Sequence, residues 1–223
     1  MDPTEIIKAV PDLAKGLAAV GTAIPFTRIV KKMLGPATDE LAEMWKDRVR
    51  FYRYQNQMQC VKKAEQMAQK AGFTPQTVPP KILFPLLEGV SLEDNDHLHT
   101  MWAALLANAA SPTDSSTVRP GFIALLKEMC GDEATILKFV FDSVHKSVSK
   151  NWQKHSESLE EIKEMYEKEF RPASGDDITF YTALDSLEAA ELIRTSNLGT
   201  AWGLTSRGYH FIMSCSPPKG ASQ

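Results

Sequence analysis

The sequence predicts a mostly α-helical chain in two lobes, with one small β-hairpin near the C-terminus. Three observations predict it. Apolar residues return at helical spacing through most of the chain, most sharply over residues 79–112. A polar, aperiodic loop at 111–117 interrupts that pattern and marks a lobe boundary. Two short apolar runs, around Ile193 and Trp202, flank a turn at Asn197-Leu198-Gly199 and read as a hairpin.

The totals exclude more than they assign. A chain of 223 residues holds one large domain or two small ones. A net charge of −3 gives no global attraction to nucleic acid or anionic lipid. Three widely separated cysteines (Cys60, Cys130 and Cys215) point to buried thiols in a reducing compartment rather than a disulfide framework. No C-x-x-C pair is present, which argues against a zinc ribbon. The acidic start (Asp2, Glu5) lacks the basic region of a signal peptide, so a cytoplasmic location is expected.

Residues 1–35 form an apolar N-terminal segment. Between Lys15 and Arg28 no residue is charged. That run is too short to span a bilayer, which takes roughly 20 apolar residues. A buried hairpin is the expectation, and membrane association through residues 3–34 is the alternative. Pro36 opens a long helix that Gly72 and Pro75 end. Trp45, Val49, Tyr52, Asn56, Cys60, Ala64 and Met67 make its packed seam. Its outer surface reads as basic, and Arg48, Arg50, Arg53, Lys62 and Lys63 are the candidate interaction residues. Tyr52 and Tyr54 lie among them, and phosphate contact is the alternative reading of this helix. A solvated face of mixed charge is the preferred reading, and nucleic acid is not the favoured partner.

In residues 79–112, Pro79-Pro80 starts a short helix with Ile82, Leu83, Leu86 and Leu87 on one face. Gly89 ends it, and Ser91 is the expected N-cap of the next helix, with Asp94 in its first turn. Leu98, Met101, Trp102, Leu105 and Leu106 then make a buried helix among small alanines. The run Pro-Leu-Leu-Glu-Gly at 85–89, then Ser-Leu-Glu-Asp at 91–94, then Leu98, Met101-Trp102-Ala103 and Leu105-Leu106-Ala107-Asn108-Ala109 resembles the signature of the bacterial abortive-infection alpha family. The resemblance extends from about residue 37 to 215. It implies a role in defence against phage, and it carries over no catalytic residue.

Beyond the polar loop, Pro120 starts a helix with Phe122, Leu125, Leu126 and Met129, and Gly131 closes it. Asp132 or Glu133 starts another, with Ile136, Leu137, Phe139, Val140 and Val144. Lys146, Lys150 and Lys154 would share a face if that helix continues. Ser158 and Glu161 form a capping box for the next helix. A further helix is expected to turn Ile178, Tyr181, Leu184 and Leu187 inward. Thr205 caps the last helix, which carries Tyr209, Phe211 and Ile212. Helix, hairpin, then Leu204-Thr205, Gly208-Tyr209 and Phe211-Ile212 resembles the end of a winged-helix domain. The helix before its hairpin presents Asp185, Glu188 and Glu191, and no cation precedes Arg194. Phosphates would be repelled there, so these three residues are a candidate acidic protein-contact face.

Among other constellations, Glu93 and His97 are four apart and would share a helix face, with His99 pointing elsewhere. One such pair is a thin metal site, and helix capping alone, the preferred reading, explains the acids. No nucleophile elbow, phosphate-cradling loop or H-E-x-x-H occurs. The chain is therefore read as a helical lobe (36–115), a winged-helix-like lobe (118–216) and a disordered tail (217–223). No cofactor is expected. The expected activity is non-enzymatic antiphage defence through contact with a protein partner or phage component. A membrane-active effector and a nucleic-acid-binding regulator are the alternatives.

Overall fold

The structure, a computed structural model, describes residues 24–25, 48–113, 118–148, 157–170, 178–196 and 201–219. The expectations for most of residues 3–34, for the loop at 114–117, for Lys150 and Lys154, for the turn at 197–199 and for the end of the tail lie outside these residues. The described residues hold eight helices and two small antiparallel sheets. The chain divides into two compact units. One comprises Met1–Lys127 with Cys215–Gln223, and the other Glu128–Ser214.

The first unit contains β1 (Ile24–Pro25), α1 (Arg48–Lys70), β2 (Thr77–Val78), α2 (Pro80–Val90), α3 (Asp96–Ala109) and α4 (Pro120–Glu128). β1 pairs antiparallel with β2, Ile24 opposite Val78. α1 packs along α3, and α2 touches both. The buried line of α1 is Cys60, Val61, Ala64, Ala68 and Ala71. These small residues allow close approach to α3, which is buried all round from Met101 to Ala109. A helix apolar on every side belongs at the centre of a core. α1 stops at Gly72, whose φ of 77° suits glycine. The Gly72 N–H bonds to the Gln69 carbonyl and the Phe73 N–H to the Ala68 carbonyl, both at 3.1 Å. That pair of bonds is a Schellman closure.

Two sequence expectations change here. The N-cap of α3 is Asn95, whose Oδ1 accepts from the N–H of His97 (2.9 Å) and Leu98 (3.0 Å). Ser91 instead follows the end of α2, its hydroxyl donating to the Glu88 carbonyl at 2.6 Å. Both residue types cap helices, and the one adjacent to the buried run does so here. Gly89 lies inside α2, one residue before its end. A Cβ there would meet Trp102 Cη2 at 2.4 Å, so close packing against the indole demands the glycine.

The second unit contains α5 (Gly131–Val148), β3 (Glu157–Ser158), α6 (Leu159–Phe170), α7 (Ile178–Ala189), β4 (Ile193–Ser196), β5 (Ala201–Leu204) and α8 (Ser206–Ser214). The predicted hairpin is β4–β5, with Thr195 opposite Trp202. A third strand, β3, joins the other edge of β5, giving the order β3-β5-β4. α5 begins at Gly131, one or two residues earlier than expected, so Gly131 opens this helix rather than closing α4, which ends at Glu128. The Glu133 carboxylate accepts from the Cys130 N–H at 2.8 Å, the returning half of a capping box. α6 starts immediately after Ser158, where the sequence places it. Thr205 caps α8, its Oγ1 accepting from the Gly208 N–H at 2.9 Å. The core gathers Ile136, Leu137, Ile162, Phe180, Leu184 and Phe211, with Tyr166 tilted against Phe180 at 5.2 Å.

The apolar seam of α7 differs from expectation. Phe180, Ala183, Leu184 and Leu187 are buried, while Ile178 is 69% and Tyr181 43% exposed. Two apolar lines share this helix, and the one containing Phe180 reaches the aromatic ring of Tyr166.

Candidate functional site

The signature-like stretch folds into a polar lock around the turn between α2 and α3. Asn56, buried on α1, donates its amide to the carbonyls of Glu93 (2.7 Å) and Ser91 (3.3 Å). Gln57 donates to the Leu87 carbonyl at 3.1 Å. The Glu93 carboxylate accepts from the Asn95 N–H at 3.0 Å and from Trp102 Nε1 at 3.4 Å. His99 Nε2 donates to the Asn56 carbonyl at 3.0 Å, which fixes the ring as the Nε2–H tautomer. Its Nδ1 is buried without a partner. Burial holds the His99 pKa below the ordinary histidine value. The Asn56 bond opposes the shift, Lys63 adds to it, and Glu93 and Asp96 oppose it.

Glu93 lies in the turn ahead of α3, so it shares no helix face with His97. Its two oxygens are engaged by Asn95 and Trp102. Glu93 thus serves the turn. Among the described residues, no three His, Cys, Asp or Glu side chains are grouped as metal ligands are. The three cysteines are free. Cys60 is buried, and burial pushes its thiol up to about 12. Cys215 is buried and raised for the same reason, whereas Cys130 is exposed, against expectation.

The candidate basic residues do not share one line on α1. Arg53 is exposed and Arg50 half-buried, and at 3.6 residues per turn they continue the lines that further along carry Cys60 with Ala64 and Val61 with Ala68. Lys62 faces the opposite side, and Lys63 is half-buried between. Arg48 belongs to the first turn. The outermost line of α1 is uncharged for most of its length. Tyr52, Gln55, Gln59, Lys62, Gln66 and Gln69 are all exposed along it. Attention to charge passes over this line, and its glutamines at 55, 59, 66 and 69 are the signal that finds it.

Of the candidate acidic face, Asp185 is exposed on α7. Glu188 turns toward the hairpin, its Oε1 accepting from the Thr195 hydroxyl (2.9 Å) and N–H (3.2 Å). Glu191 pairs with Arg207 at 3.1 Å. The acids at 188 and 191 therefore brace the hairpin and α8. The outward face of α7 consists of Ile178, Tyr181, Thr182, Asp185 and Ala189. The second unit as a whole carries 15 acidic against 9 basic residues.

No helix among the described residues is long and apolar enough to cross a membrane. No curated protein and no solved structure matches the chain. The family model described as abortive infection alpha matches residues 55–214, which include the polar lock, α7 and the hairpin. The chain belongs to the abortive infection alpha family.

Proposed function

We propose that this protein is an antiphage defence protein of the abortive-infection kind, acting through protein contacts rather than catalysis. The family match over residues 55–214 carries the defence assignment. The contact mechanism is supported by α7. Its outer face combines two exposed apolar side chains, Ile178 and Tyr181, with Asp185 and without a cation. Phosphate backbones require cations at such a face, whereas a protein partner does not. The order helix, strand, two helices and hairpin, with β3 beside β5, supports a winged-helix-like reading of the second unit. In that reading α7 occupies the position that would enter a DNA groove, yet its chemistry suits protein.

The test is a phage challenge in a bacterial host expressing the chain, with survival and membrane permeability followed together. Protection is expected for the wild type, and its loss for an Ile178→Lys, Asp185→Lys variant that retains the wild-type circular dichroism and melting temperature. No protection against any phage of a broad panel would remove the defence reading. Protection unchanged in the variant would leave defence standing and remove α7 as the contact.

A further inference from the structure

Domain boundaries ordinarily fall in exposed, flexible stretches of chain. The passage into the second unit is of the exposed kind, through Lys127 and Glu128. The passage back is not. Ser214 is the last residue of α8 and of the second unit, and Cys215 is the first returning residue of the first unit. Both are buried, at 3% and 4% exposure. No loose residue stands between them to absorb a displacement on either side.

Each side of this junction is tied to an element already described. α8 is a rod of nine residues. Its start is fastened to the corner between α7 and β4. The Thr205 N–H donates to the Leu192 carbonyl at 3.1 Å, Arg207 pairs with Glu191 at 3.1 Å, and Gly208 lies against the Leu192 backbone. Its body is held by the buried Phe211 and Ile212. Beyond Ser214, the Ser216 carbonyl accepts from the Asn108 amide on α3 at 2.8 Å. A continuous line of backbone and hydrogen bonds therefore runs from the end of α7, through α8, to the buried α3. The returning segment is the part of that line with two positions, docked on Asn108 or released.

We infer that α8 couples the two units: a loosened α7–α8 corner releases Cys215 and Ser216 from the first unit, and a released segment loosens the second unit in return. When the second unit opens, the first must hold its returning segment across a flexible loop from Glu128 to Ser214, and loop-closure entropy opposes docking. The folded second unit removes that opposition by holding Ser214 in place. Coupling between two sites is reciprocal, so both directions must appear. The coupling is a property of the fold and holds whatever touches α7.

The free cysteines make this measurable. Cys215 reports the returning segment, and Cys60, buried on α1, reports the core of the first unit. Thiol labelling of the full chain is followed by mass spectrometry in a Cys130→Ser background, which removes the exposed thiol. Leu184→Ala opens a cavity in the core of the second unit and is expected to speed Cys215 labelling on the order of 100-fold, with Cys60 little changed. Ile162→Val loosens the same core more mildly and is expected to speed it roughly fivefold, which keeps the test intact where Leu184→Ala fails to fold. In the reverse direction, Asn108→Ala is expected to raise hydrogen exchange of the α7 amides several-fold. Unchanged Cys215 labelling in a core variant whose α7 exchange has risen overturns the inference. So does α7 exchange that Asn108→Ala leaves unchanged. Equal acceleration of Cys60 and Cys215 overturns it as well, because the chain then opens as a single unit.

Discussion

Single atoms decide several positions in this chain. A Cβ at Gly208 would lie 1.9 Å from the Leu192 carbonyl oxygen, which is backbone and cannot step aside. Gly208→Ala should therefore lower the urea stability of the protein by at least about 2 kcal/mol. Gly121→Ala is the control. Nothing lies within 4 Å of its Cβ position, and alanine there should be neutral or stabilise by up to about 1 kcal/mol through helix propensity. Asn56→Ala removes two bonds that hold the α2–α3 turn and should cost about 2 kcal/mol in the same measurement. His99 supplies a pH dependence. Its folded pKa lies below the unfolded value of 6.5, so its contribution is fully present above that value and is lost as pH falls toward the folded pKa. Between pH 7 and 5.5 the urea midpoint of the wild type should fall more steeply than that of His99→Gln, whose amide can keep the bond to the Asn56 carbonyl.

Elements were legible in the sequence to the extent that their determinants are local. Gly72 announces the end of α1 because a left-handed residue closes a helix there, and Thr205 announces α8 by the same kind of short-range rule. The start of α3 was displaced because Ser91 and Asn95 have equal claims as caps, and contact with α1 decides between them. α7 was rotated in register because Ile178 and Tyr181 are as apolar as Phe180, and only the position of Tyr166 selects the buried line. β3 left no trace, since Glu157 and Ser158 become a strand only through pairing with β5. The closure of α7 was equally hidden. Glu191 adopts φ 57°, with Leu192 N–H bonding back to the Leu187 carbonyl at 2.9 Å, a glycine's role taken by a glutamate. Glu191→Gly should be about 1 kcal/mol more stable than Glu191→Ala in thermal unfolding, since both lose the Arg207 pair and only alanine keeps the backbone strain.

At the scale of the whole molecule, the second unit is an insertion. The chain leaves the first unit after Lys127 and returns to it at Cys215. The return is held by Cys215, 4% exposed, and by the Asn108 amide donating to the Ser216 carbonyl at 2.8 Å. Ending the chain after Lys219 should leave the melting temperature unchanged, whereas ending it after Ser214 should lower it by several degrees. Long-range closure of this kind is invisible to periodicity, which is why a lobe boundary at the polar loop was the natural sequence reading. Chain order adds a consequence in time. During synthesis the second unit has all of its residues in hand before the first unit does. The first unit, carrying the outward line of α1, can complete itself only after the ribosome has made Ser216. A chain that stops at Ser214 thus has every residue of the second unit and lacks the closing segment of the first.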